Sequence, residues 1–140
     1  MSRIFWDTNL FIYLFEGSAL FGQHVVALRQ KMLARGDELL TSTLTVGEVL
    51  IKPLKLGETK LANEYRRAIP ATATLLQLDE NAAALYAKLR CDAALRAPDA
   101  IQLACAGSHG VDLFVTNDTR LYGKQVDGIQ FIAPIDRVPI

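Results

Sequence analysis

The sequence predicts an α/β fold, a mainly parallel central sheet of about four to five strands flanked by helices. Short apolar runs of strand length alternate with longer segments of helical periodicity. The stretches joining successive apolar runs are too long for hairpins, which points to parallel crossovers. A chain of 140 residues, 51% of them apolar, fits one compact domain with its own core.

The elements follow in order. Ile4 to Trp6 form an apolar strand ending at Asp7, and Thr8 to Phe15 read as the first helix, punctuated by Gly17 and Ser18. A second helix is expected from about Ala19 to Arg35, closed by Gly36. A short strand near Glu38 to Thr41 leads into a third helix from about Thr43, which Pro53 should kink or end. Glu58 to Ala68 reads as helix, stopped at Pro70. Thr74 to Leu78 suits a strand and Asn81 to Leu95 a long helix. Pro98 is placed to open the next helix, with Asp99 in its first turn and Ile101, Ala104 and Cys105 facing inward. Asp112 to Thr116 and Ile129 to Ile132 finish as strands.

Charge narrows the function classes. Fifteen basic residues balance fifteen acidic ones, so any nucleic-acid site must be local. Cys91 and Cys105 lack paired spacing and read as reduced thiols. The longest apolar run, Leu10 to Phe15, is too short to span a bilayer and nothing at the N-terminus resembles a leader, so a soluble, cytoplasmic protein with no membrane partner is expected.

The chemistry lies in four acids: Asp7 in WDTN, Glu48 in TVGEVL, Asp99 in RAPDAIQLA and Asp118 in VTND. Three stand at strand ends or helix starts, where residues distant in sequence meet along one edge of an open sheet. Capping explains any one of the three aspartates taken alone. Glu48 resists that account. It shares a helical face with Leu44 and Ile51 and is the only ionisable residue from Val46 to Ile51; its bland alternatives are a salt bridge or a rim position reaching water. Like charges about 4 Å apart repel by roughly 4 kcal/mol at an effective dielectric near 20. A divalent cation removes the conflict, and oxygen-only ligands favour Mg²⁺ or Mn²⁺ over zinc. Such a metal suits phosphodiester hydrolysis.

Asp-Thr-Asn after the first strand, a helical glutamate, PDAIQLA and VTND together resemble the PIN-domain nucleases, over nearly the whole chain. In length and motif order the resemblance is closest to the small VapC-type toxins of toxin–antitoxin pairs. It implies a PIN-like parallel-sheet fold, Mg²⁺- or Mn²⁺-dependent endoribonuclease activity on RNA, a homodimer and a cognate antitoxin. Asp7, Glu48, Asp99 and Asp118 match the family's acidic quartet and would hold the metal directly or through water. Asn9 and Thr116 match its accompanying polar positions, expected to orient carboxylates, water or phosphate.

Substrate contacts are less specified. Lys52, Lys55, Arg96, Arg120 and Lys124 lie near the acidic motifs, but for scattered basic residues a solvated face is the default, and only Arg96 stands out, just ahead of Pro98 and Asp99. His24 and His109 show no metal-ligand spacing and suggest no general base. Leu10 to Phe15 is apolar around its circumference, so core burial together with a partner contact is expected. Two alternatives compete. A phosphatase or phosphoacceptor domain would use Asp7 as nucleophile, but Asn9 stands where a phosphatase of that kind carries a second aspartate, and the adjacent acids of a receiver are missing. A noncatalytic RNA- or protein-binding module would keep the acids without cleavage.

Overall fold

The computed structural model describes residues 1–140. Its strands are β1 (Arg3–Trp6), β2 (Glu38–Ser42), β3 (Thr74–Leu76), β4 (Val111–Thr116) and β5 (Ile129–Pro134). All pairings are parallel, in the order β3-β2-β1-β4-β5. The helices are α1 (Thr8–Glu16), α2 (Gly22–Arg35), α3 (Thr43–Lys55), α4 (Thr59–Thr72), α5 (Glu80–Leu89) and α6 (Ala97–His109), with 3₁₀ turns at Thr119–Leu121 and Ile135–Arg137.

Strand alternation divides the core between the two faces of the sheet. Ile4, Trp6, Leu39, Leu113 and Val115 point to one face, where Leu10 and Phe11 of α1, Val25 and Met32 of α2 and Ile69 of α4 cover them. Phe5, Leu40 and Phe114 point to the other, against Leu103, Cys105 and Ala106 of α6. Phe5 and Phe114 stack there at 5.0 Å between ring centroids. Chain order reverses between β1 and β4, so the crevice beyond their carboxyl ends is the natural ligand site of such a sheet.

Several boundaries depart from the sequence expectation. α2 begins at Gly22 rather than Ala19, because Ser18 Oγ accepts from Phe21 N–H and holds a turn first. Pro53 lies inside α3 without ending it. α4 runs through Pro70 to Thr72. Pro70 is exposed, so the helical carbonyl deprived of its donor is left near water, while buried Ile69 anchors the final turn and accepts from Ala73 N–H. β3 closes at Leu76 instead of Leu78, and α5 closes at Leu89 instead of Leu95. The chain then turns on Asp92, whose carboxylate accepts from Ala94 N–H, and delivers Leu95 to the core. Cys91 is exposed, Cys105 is buried, and the two are not bonded.

Candidate active site

The site forms where β1 and β4 end and α3 and α6 begin or pass. A cleft of about 230 Å³ at this edge is lined by Asp7, Asn9, Glu48, Arg96, Asp99 and Asp118, among others. Every expected site residue therefore faces one cleft except Thr116, which lies buried beneath it.

Asp7 leaves the buried strand Phe5–Trp6 and becomes the N-cap of α1, its Oδ1 accepting from Thr8 N–H at 2.9 Å. The capping role holds, yet it does not exhaust the side chain. Thr116, the last residue of β4, donates its hydroxyl to Asp7 Oδ2 at 2.7 Å, and the same Oγ1 accepts from Asp118 N–H at 3.0 Å. One threonine thus ties two of the acids together. Burial pushes the Asp7 carboxyl up to about 6; the bonds from Thr116 and Thr8 oppose that, and the charges of Asp99 and Glu48 add to it.

Asp99 sits in the first turn of α6. Burial and the facing Asp118 raise its carboxyl above the ordinary range, against Arg120 and Arg96. Asp118 caps the 3₁₀ turn, and its carboxyl is held low by the Arg120 guanidinium, whose Nε donates to Oδ1 at 2.9 Å. Arg120 also reaches within 3.7 Å of Asp99 Oδ2, as does Arg96. Arg120 was indistinguishable from a solvated residue in the sequence, whereas the structure makes it the cation closest to the acids. Lys52 and Lys124 instead pair with Glu16 and Asp92, on the rim or beyond it.

Glu48 is the clearest correction. Its neighbours Leu44 and Ile51 do not form an interior face, since Ile51 is 49% exposed; Thr45, Val49 and Pro53 are the buried residues of α3. Glu48 stands half-buried on the cleft wall and accepts from Thr8 Oγ1 at 2.6 Å. Asn9 faces the cleft too, and its Oδ1 has no hydrogen-bond partner. His24 and His109 are both exposed, away from the cleft.

The sequence reading also missed Gln102, which is 2% exposed directly under the acids. The available signal was an amide inside the apolar run Ile101–Ala106, one turn after Asp99.

The donor set fits a hard divalent cation in kind. The cleft side chains able to ligate a cation, Asp7, Asn9, Glu48, Asp99 and Asp118 among them, offer oxygen and no histidine or cysteine lines the cleft, and the charges that bear on buried Asp7 are both negative. No three of the acids converge on a single point as placed. Joint ligation by three of them would require side-chain rotation, and Arg120 holds Asp118 in its present place.

Beside Glu48 a hollow of about 370 Å³ opens between α1, α3 and α4, its apolar wall made by Ile12, Phe15, Val49, Pro53, Leu56 and Tyr65 and the rest by residues that include Glu16, Lys52 and Glu58. The core, rather than anything in this hollow, covers most of α1. Leu10 and Phe11 enter the core, while Ile12, Tyr13, Leu14 and Phe15 stay partly buried against it, with Phe15 stacked on Tyr65 at 4.7 Å.

Comparison with known proteins adds the family. The PIN domain model matches residues 4–126. Comparison with curated proteins gives no match. Among solved structures, the fold is similar to a chain of VapBC2 from Rickettsia felis bound to a promoter DNA fragment, with TM-score 0.72 and 13% identity over 94% of this chain and 98% of that one. It is similar to a chain of a toxin–antitoxin complex from Klebsiella pneumoniae, with TM-score 0.65 and 24% identity over 90% and 94%. DNA-bound VapBC from Salmonella typhimurium gives TM-score 0.66 and 22% identity over 96% and 99%. At these identities the likeness is one of fold. The matched span runs from the first strand past Asp118 and so includes all four acidic motifs: the chain belongs to the PIN domain family.

Proposed function

We propose that the protein is a Mg²⁺- or Mn²⁺-dependent endoribonuclease, acting as the toxin of a toxin–antitoxin pair in the cytoplasm. The observation that carries the reading is the meeting of Asp7, Glu48, Asp99 and Asp118 in one cleft of a PIN domain, with Asp7 buried among negative neighbours. Metal-dependent phosphodiester hydrolysis uses such a cluster of carboxylates, because the divalent cation they hold supplies a nucleophilic water near neutral pH and offsets charge on the leaving oxygen. Asp7, Glu48, Asp99 and Asp118 are the residues that would hold it.

The remaining side chains have separable duties. Thr116 holds the Asp7 carboxylate by its Oδ2 and keeps Asp118 in register. The Oδ1 of Asn9 is buried and unpartnered, so a turn of this amide toward the cleft would let it accept from a water or a ribose hydroxyl. Arg96 and Arg120, both largely exposed at the cleft mouth, are placed to meet substrate phosphates once they leave the acids. The apolar wall of the hollow beside Glu48 suits an apolar face of a cognate antitoxin segment, and the charged residues that complete the lining suit polar groups on the same segment, consistent with the neighbours described as toxin–antitoxin complexes. A homodimer is part of the same reading.

Two observations favour the noncatalytic alternative: Arg120 already neutralises Asp118, and the acids do not converge by themselves. Purified, antitoxin-free protein incubated with structured and single-stranded RNAs in EDTA, Mg²⁺ or Mn²⁺ separates the two. Metal-dependent cutting with 5′-phosphate and 3′-hydroxyl products, lost in Asp7→Asn and Asp99→Asn while both remain folded, is the expected result. Cutting that persists in both variants would overturn the site, and no cutting in any metal would favour the binding module.

A further inference from the structure

Gln102 occupies a position that core packing does not explain. Its neighbours Leu103, Ala104, Cys105 and Ala106 are buried and need only apolar surroundings, and a buried amide is costly unless every polar atom is satisfied. Here all of them are. Nε2 lies 2.8 Å from Thr45 Oγ1, 3.0 Å from Thr8 Oγ1 and 3.4 Å from Asp7 Oδ1, while Oε1 accepts from the Ser42 hydroxyl. The orientation of the amide follows from these partners, since turning it over would set its carbonyl oxygen against the Asp7 carboxylate.

That orientation has a directional consequence. Because Gln102 donates into Thr8 Oγ1, the single proton of that hydroxyl goes to Glu48 Oε1, 2.6 Å away, a shorter contact to a charged acceptor than the 3.2 Å one to Thr45 Oγ1. A relay therefore runs from the Gln102 amide through Thr8 to Glu48, with a longer direct arm to Asp7. Gln102 itself rides on α6 one turn beyond Asp99. It braces the helix carrying Asp99 against the start of α1, which carries Asp7, and against α3, which carries Glu48.

We infer that Gln102 is a positioning residue: its buried amide sets the spacing and hydrogen-bonded orientation of Asp7, Glu48 and Asp99, and so the readiness of the cleft for a divalent cation. The inference rests on the nuclease reading for its consequence. A side chain that orients metal-holding carboxylates changes metal affinity or activity by roughly 10- to 100-fold when removed. One that merely fills the core changes melting temperature alone.

The test is Gln102→Met, which keeps length and volume but removes donor and acceptor. Mn²⁺ binding to the protein without RNA is followed by calorimetry, beside thermal melting and RNA cleavage at saturating Mn²⁺. The expected result is a folded variant whose Mn²⁺ dissociation constant rises roughly 10- to 100-fold, with kcat reduced and KM little changed. A folded Gln102→Met that binds Mn²⁺ as the wild type does overturns the positioning role and leaves the nuclease reading intact. Wild-type protein that binds no Mn²⁺ overturns the nuclease reading and this inference with it. If Gln102→Met does not fold, Thr8→Val decides, since it cuts the relay to Glu48 while sparing the amide: weakened Mn²⁺ binding supports the role, and unchanged binding or a failure to fold overturns it.

Discussion

At the scale of the residue, Asp7 is a carboxylate kept at a cost. It caps a helix through Thr8 N–H, accepts from Thr116, and is still pushed up to about 6 because burial, helped by the charges of Asp99 and Glu48, outweighs those two bonds. An unfolded aspartate titrates near 3.8, so between that value and about 6 the folded chain binds the extra proton. Stability of the metal-free protein therefore falls as pH rises through this window, and the loss is complete above it. Asp7→Asn should abolish cleavage yet raise metal-free stability at pH 8 by on the order of 1 to 3 kcal/mol, with little difference at pH 4. Melting curves across that range check it, and a variant less stable than wild type at pH 8 would contradict the burial argument. Arg120 gives the complementary case. It pairs with Asp118 and approaches Asp99, so it competes with any added cation. Arg120 is solvent-exposed and its pairing is screened by water, so Arg120→Ala should tighten Mn²⁺ binding only modestly, by up to roughly fivefold in a direct titration.

At the scale of the element, α6 has two jobs, and its ends show how they are joined. Its N-terminal turn presents Asp99 to the cleft, and its C-terminal half is clamped against the turn before β5. A Cβ at Gly128 would lie 1.9 Å from Gly107 O, and Gly128 also adopts φ +84°. Gly128→Ala combines a left-handed backbone with a backbone clash, and the first alone costs about 1–3 kcal/mol. Chemical denaturation should show at least that loss; a near-neutral variant would mean that the clamp yields freely. α1 shows a different division of labour. Its first turn supplies Asp7, Thr8 and Asn9 to the site, while its middle, Leu10 and Phe11, fixes the helix to the sheet. The rigid strand end and the helix start are therefore held by one short segment.

At the scale of the whole molecule, fifteen basic and fifteen acidic residues leave no general field to attract RNA. Only Arg96 and Arg120 flank the acids as candidate phosphate contacts. Two contacts on single-stranded RNA give a slope of log affinity against log salt of about −1.4. Anisotropy titrations between about 50 and 200 mM salt, on the cleavage-inactive Asp99→Asn variant, measure it. A slope several times steeper would reveal a basic surface supplied by other residues or by a second subunit.

The sequence by itself determined the fold class, the order of elements and the four acids, because period-2 and helical patterning record burial directly and carboxylates at strand ends stand out against apolar runs. Thr116 and Asn9 came only from the resemblance to the family's polar positions. The sequence misjudged α4 at Pro70, since whether a lost helical hydrogen bond matters depends on solvent at that carbonyl. The tertiary structure alone decided which acids are buried and which are paired: that Glu48 lies on a cleft wall, that Arg120 holds Asp118, and that Gln102 braces three elements. Pattern along the chain reports what each residue prefers. Desolvation and hydrogen-bond geometry depend on partners from separate elements, Asp7 and Gln102 among them, which only the folded sheet brings together.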